Sequence, residues 1–198
     1  MKKYFKYAAF LLLLVVLAAS SCKKKKVAAP KPVFTGTYFS IKDYALDEWN
    51  TFAHDPFAII KTVRINDGKT DTTYTNSDTI NWAPIFKVFF ETDIGDTSFL
   101  GKYKYTQFPD NQDGTMNLFY EVADPDDDDL FTRKLLITAD QYTRKIKGIY
   151  IETSKKDFFG ERTQRLYYSP MKTIQIQTDN KPVLGSNTLT IIQYDFML

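Results

Sequence analysis

From Phe57 onward the apolar residues of this chain recur at every second position, in short runs broken by Asn, Asp, Gly and Pro. Alternation of this kind sends successive side chains to opposite faces of a pleated strand, so that one face can be buried and the other left in water. Lys172 to Thr178 is the cleanest case, with Ile174 and Ile176 set against Gln175 and Gln177. Ile85 to Thr92 reads the same way, Phe86, Val88 and Phe90 against Lys87 and Glu91. In Ser98 to Phe108, Tyr103 and Tyr105 oppose Lys102 and Lys104. Further strands are predicted at Phe34–Ile41, Phe57–Ile65, Lys69–Thr75, Thr115–Val122, Leu130–Thr138, Lys145–Thr153, Glu161–Ser169 and Asn187–Phe196. Asn66-Asp67-Gly68 is hairpin-turn chemistry, while Pro109–Gly114 and Asn180–Ser186 read as loops. One segment follows a different period. In Asp43–Ala53, residues Ala45, Leu46, Trp49, Phe52 and Ala53 fall on one face at helical spacing. Asp43 can cap that helix, Asp47 and Glu48 favour its positive end, and Asp55-Pro56 stops it. The expectation is an all-β domain: an antiparallel meander of about ten strands forming a barrel, half-barrel or sandwich, with one short helix near the N-terminus.

The first 26 residues obey neither period. Lys2, Lys3 and Lys6 precede an apolar run, Tyr7 to Ala19, and the small residues Ala18, Ala19, Ser20 and Ser21 end it. That is the three-part pattern of a secretory signal peptide. A membrane-crossing helix needs roughly 20 apolar residues, and here Lys23, Lys24, Lys25 and Lys26 follow too soon. Cys22, the one cysteine of the chain, stands where a cleavage site belongs. Leu17-Ala18-Ala19-Ser20-Ser21-Cys22 resembles the lipobox of bacterial lipoproteins, with Ala19 at the position where leucine is usual. The resemblance implies removal of residues 1–21 and acylation of Cys22, which becomes the lipidated N-terminus. It also implies the outer membrane, since no aspartate follows Cys22 to retain the protein at the inner one. Acylation accounts as well for a single cysteine in an exported chain, which can form no internal disulfide. Lys23, Lys24, Lys25 and Lys26 would then lie against lipid headgroups or serve as a solvated spacer. Residues 22–32 form a basic tether that Pro30 and Pro32 keep extended. Residues 33–198 form one domain.

Charge separates tether from domain. The chain carries 26 basic and 24 acidic residues, a formal +2. Eight of the basic ones lie in residues 1–32, so the domain keeps 18 against 24 acidic residues and is net negative. An acidic domain on a basic leash is not built to hold nucleic acid.

Catalytic side chains are few. His54, the one histidine, sits beside Asp55 at the predicted helix end, where histidine is favourable without any chemistry. One histidine and one acylated cysteine leave no ordinary zinc set and no cysteine nucleophile. Asp124 and Asp126, Asp127, Asp128 and Asp129 form an oxygen-rich run that suits calcium, or simply a solvated, self-repelling loop. Asn111-Gln112-Asp113-Gly114 resembles the middle of a calcium loop, but Pro109 replaces its first aspartate and no glutamate closes it. No glycine-rich loop cradles phosphate, and no cofactor is called for. Aromatics are 16% of the chain; Tyr103, Tyr105, Tyr120, Tyr150, Tyr167 and Tyr168 fall on predicted strands, as ligand-facing rings or as core. Gly36-Thr37-Tyr38 resembles the G-x-W opening of the lipocalin barrel, Tyr38 standing in the tryptophan's place. The strand-rich C-terminal half is similar to half-barrel periplasmic carriers of lipid and lipoprotein. These likenesses imply a sheet that shelters an apolar ligand. The expected protein is therefore a non-enzymatic, envelope-anchored β domain that binds a small apolar ligand or an envelope protein. The alternatives are a carboxylate-pair glycan hydrolase and a structural accessory of an outer-membrane complex.

Overall fold

The alternating runs become nine strands in the computed structural model, which describes residues 37–52 and 56–197. They are β1 (Ala58–Ile65), β2 (Asp71–Asn76), β3 (Tyr103–Asp110), β4 (Thr115–Val122), β5 (Thr132–Asp140), β6 (Ile146–Asp157), β7 (Gly160–Ser169), β8 (Thr173–Pro182) and β9 (Thr188–Met197). Two helices, α1 (Ile41–Phe52) and α2 (Trp82–Phe90), complete the set together with two single turns of 3-10 helix. All nine strands join one antiparallel sheet in the order β2-β1-β9-β8-β7-β6-β5-β4-β3. From β3 to β9 the path is a meander in which every strand pairs with its successor. The β1–β2 hairpin is added at the far side, where Ala58 lies opposite Met197 and Ile65 opposite Thr190. The sheet is open, with β2 and β3 as its edges.

Register decides which face is buried. Leu135, Ile151, Leu166 and Ile176 stand in a cross-strand row with Ile137, Ile149 and Ile174 beside them, all buried. Ile59 of β1 and Tyr194 of β9 extend the same core. Ile41 of α1, Ile85 and Phe89 of α2, and Ile94 close over it. The opposite face carries Gln175, Gln177, Gln193 and Asp195, the polar halves of the same alternating runs.

The helical prediction holds for α1, though its inward face is turned. Ile41 is buried while Leu46, expected inside, is 40% exposed. Its start is capped from a distance: Asp93 Oδ1 accepts from the Ile41 amide at 2.9 Å, and Ser40 Oγ accepts from the Asp43 amide at 3.1 Å. Asp43 therefore does not cap; Ser40 and Asp93 do. Gly95 permits that closure, because a Cβ there would stand 2.8 Å from the Ser40 Cβ.

Three expectations are corrected. Thr37–Ser40 belong to no strand and Ile41 opens a helix, so the first strand does not form over the described part of Phe34–Ile41. Ile85–Thr92 is not a strand either; Trp82–Phe90 is α2. Trp82, Ile85, Phe86 and Phe89 follow the i, i+3, i+4, i+7 spacing of a helix, and with seven apolar residues in nine the segment satisfies both periods. What decides is the start, where Asn81 Oδ1 accepts from the Ala83 amide at 3.2 Å and Pro84 falls in the first turn, which tolerates it. Finally, Ser154–Asp157, which lies between the predicted strands Lys145–Thr153 and Glu161–Ser169 and so is expected to connect them, is not a connector. It continues β6, and Phe158-Phe159 alone makes the turn to β7.

Candidate functional site

Apolar side chains that a helix and a strand bury toward each other need not fill the space between them, and under α1 and α2 they do not. A cavity of about 90 Å³ lies between the two helices and the sheet. Its walls are Trp49 from α1, Trp82 and Phe86 from α2, Phe196 from β9 and Ile174 from β8, with Met171 from the β7–β8 turn. The rings hold one another. Trp49 meets Phe86 edge-on at 5.0 Å between centroids, and Trp82 stacks on Phe196 at 6.2 Å and 4°. Trp82 is further pinned by its indole N–H, which donates to the Ser77 carbonyl at 2.8 Å. Ser77 Oγ in turn accepts from the Phe57 amide at 3.2 Å, so the 3-10 turn Ser77–Thr79 fixes both rings.

One polar pair interrupts this apolar wall. The Tyr168 hydroxyl donates to Glu48 Oε2 at 2.8 Å, joining α1 to β7. Burial, reinforced by the Glu48 carboxylate, holds the Tyr168 phenol well above its ordinary value, and the same two causes raise Tyr44. Both phenols therefore stay protonated as donors. Glu48 is the one carboxylate among the described residues lining the cavity. A glycoside hydrolase of the paired-carboxylate kind needs two acids facing each other across the bond. The cavity has room for about three water-sized groups. What it can do chemically is take a small apolar group against aromatic faces and offer an acceptor, Glu48, to a hydrogen-bond donor beside it.

A second hollow, about 450 Å³, opens on the opposite face of the sheet over Gly148. Thr115, Thr138, Lys147, Tyr150 and Tyr167 surround it, with Asp113 its one carboxylate. Lys147 Nζ is 3.2 Å from Asp140 Oδ2 and the Tyr150 hydroxyl 3.3 Å from Glu152 Oε2. It is wider than the cleft, but Leu136 is its one aliphatic side chain among mostly polar neighbours, so the cleft is the better-built apolar site.

Cys22, Lys23, Lys24, Lys25 and Lys26 lie outside the described residues, as do His54 and Asp55. Asp126, Asp127, Asp128 and Asp129 are placed in the β4–β5 loop, and a cation from the chain itself organises that loop. The Arg133 guanidinium donates to the Asp127 carbonyl and, at 2.7 Å, to the Pro125 carbonyl. Asp127 Oδ1 is spent on the Asp129 amide at 3.2 Å, and Asp124 Oδ1 on the Asp126 amide at 3.1 Å. Among the described residues no three histidine, cysteine or acidic side chains converge to hold a metal ion. Asn111–Gly114 is the β3–β4 hairpin turn, with Gly114 at φ +61°.

The six strand tyrosines divide. Tyr103 and Tyr120 are buried, with the Tyr105 ring tilted against Tyr120 at 5.0 Å between centroids. Tyr168 enters the cleft, and Tyr150 and Tyr167 border the polar hollow. Sequence reasoning reached Trp49 and Tyr168 but assigned Glu48 only to a helix dipole, and it missed Trp82, Phe86 and Phe196 as partners in one site. Comparison with protein-family models, with curated proteins and with solved structures finds no match.

Proposed function

We propose that this chain is a lipid-anchored envelope protein, acylated at Cys22, whose β domain holds the apolar end of a small uncharged ligand in the α1–α2 cleft. The observation that carries the reading is the cleft itself: a cavity walled by aromatic rings, among them Trp49, Trp82, Phe86 and Phe196, with Glu48 and Tyr168 as its polar pair. Its size suits a short aliphatic or aromatic group rather than a whole lipid, since sites for drug-sized ligands run about 300–1,000 Å³. Glu48 sets the headgroup. A carboxylate accepts from a hydroxyl, amine or amide and repels another carboxylate, so an alcohol fits and a fatty acid does not. Anchoring follows from the lipobox and from the durable membrane hold of multiple acyl chains. The lysines after Cys22 add attraction to an anionic surface.

Native mass spectrometry of residues 33–198, exported and gently purified from a periplasm, tests the ligand. An extra mass that organic solvent removes is expected. The two tryptophans of the chain, Trp49 and Trp82, both wall the cleft, so intrinsic fluorescence reports its filling directly. A short-chain or benzylic alcohol is expected to shift that fluorescence and the matching carboxylic acid to leave it alone; Glu48→Gln narrows the difference. A bare mass with a flat titration rejects the ligand and leaves an envelope protein's side chain as occupant. Labelling with an alkynyl fatty acid, abolished by Cys22→Ser, tests the anchor independently.

A further inference from the structure

Two neighbouring hairpin tips carry large apolar side chains that nothing in the fold buries. Phe158 and Phe159 form the β6–β7 turn at 89% and 80% exposure; Val183 and Leu184 follow β8 at 70% and 89%. The tips are joined, the Val183 amide donating to the Phe159 carbonyl at 2.9 Å. Gly160 allows the close approach, since a Cβ there would stand 2.4 Å from the Lys181 carbonyl oxygen. Tight turns ordinarily take Gly, Asn, Asp or Pro, so two phenylalanines at the tip answer no demand of the backbone.

Three further observations say what covers them. Lys155–Asp157 of β6 run on beyond Ser154, whose amide still reaches the Phe131 carbonyl just ahead of β5, so the tip stands about 10 Å past that last contact. Behind the rings come Lys155, Lys156, Arg162 and Lys181 against Asp157, Glu161 and Asp179, on a domain otherwise richer in acid. Asp157 Oδ1 is taken up by the Phe159 amide, and Asp179 pairs with Lys181. Among the described residues no ion pair closes on Lys155, Lys156 or Arg162. Finally, the chain enters the described domain at the same end of the sheet. The Tyr38 hydroxyl donates to the Tyr103 carbonyl at 3.0 Å, and Tyr103 faces Val122 at the end from which β7 starts and where β6 and β8 finish.

We infer that Phe158, Phe159, Val183 and Leu184 insert into the interface of an anionic phospholipid bilayer, the flanking lysines and arginine resting on its headgroups. Apolar side chains with a cationic collar are the chemistry of interfacial binding. The inference shares the anchored-lipoprotein reading in one respect, that a bilayer lies within reach of the tether. It fixes how the domain is held: the tip end faces the membrane, leaving both hollows accessible from the side.

Phe34–Leu198 is a compact unit that contains the described core, so residues 34–198 can be tested without the anchor. The probe is flotation with vesicles of phosphatidylethanolamine and phosphatidylglycerol. The unanchored domain is expected to float, weakly on phosphatidylcholine alone. Phe158→Ser with Phe159→Ser is expected to cut partitioning about tenfold or more while circular dichroism stays unchanged. Val183→Ser with Leu184→Ser supplies a second variant away from the tight turn. A domain that stays at the bottom of the gradient overturns the inference, and so does a doubly substituted one that floats as well as its parent. A photo-crosslinker at residue 158 of the full chain that captures only protein in cells also overturns it, in favour of an envelope partner. Cys22 labelling decides the anchor separately: a labelled chain whose isolated domain does not float loses only this inference.

Discussion

The two faces of the sheet are made from the same strands and differ in what they can lose. Along β8, Ile174 and Ile176 point under the helices while Gln175 and Gln177 point away, one residue apart. The inner row is buried beneath the helices, and shortening any of its members enlarges or opens a cavity. The outer row is polar and locally satisfied, as in the Gln193 amide, which donates to both Asp195 oxygens at 2.8 Å. Stability should therefore be almost entirely a property of one face, and the other is left free to vary.

The largest effect should come from the inner row. Leu166→Ala removes a fully buried side chain from the middle of the sheet and should cost about 2–5 kcal/mol in urea unfolding. Gln177→Ala, on β8 across the pleat, should change the midpoint by no more than about 0.5 kcal/mol. Equal losses would dissolve the contrast between the faces. Next comes the polar fastening inside the apolar face. The Tyr38 hydroxyl donates to the Tyr103 carbonyl and accepts from the Gly101 amide at 3.0 Å. Tyr38→Phe should cost about 1–3 kcal/mol in the same assay, because it deletes a buried hydrogen bond to the Tyr103 carbonyl. The last and most graded effect is with pH. Burial raises Tyr44, Tyr103 and Tyr168 and pushes Tyr120 up to about 12. Unfolded phenols ionise near pH 10, about two pH units before folded Tyr120. The unfolded state then holds fewer protons, so stability is intact below about pH 10 and falls as pH rises beyond it. Tyrosinate absorbance should rise in a late step that coincides with loss of the far-ultraviolet β signal. A midpoint that stays flat to about pH 12 would show that the inner face does not grip its phenols.

Much of this was visible in the chain, and the reasons for the rest are physical. Thr115–Val122 matches β4 residue for residue, because a strand half in water must alternate and tight turns must use Asn, Asp or Gly. α2 was hidden by apolar density: when nearly every position is apolar, no period stands out, and the signals left were Asn81 and Pro84. The cleft was hidden further because its walls come from α1, α2 and β9. Trp49 and Phe196 wall one cavity from opposite ends of the described chain, and no local pattern announces a shared site of that range. Phe158 and Phe159 were visible but passed over, since they fall in the gap between the predicted strands Lys145–Thr153 and Glu161–Ser169, where no period applies.

The β1–β9 pairing also sets an order of events. β3 to β9 can zip up one hairpin at a time as each emerges, because every pairing is between neighbours in sequence. β1 cannot. Made early, it must wait with one side unpaired until the last strand arrives, more than a hundred residues later. Closing so long a loop is slow, and an exposed strand edge is a template for the wrong partner. The unsaturated β1–β2 hairpin is thus the segment a chaperone would have most reason to shield while the chain folds, and the one whose substitutions should slow folding more than they weaken the finished domain.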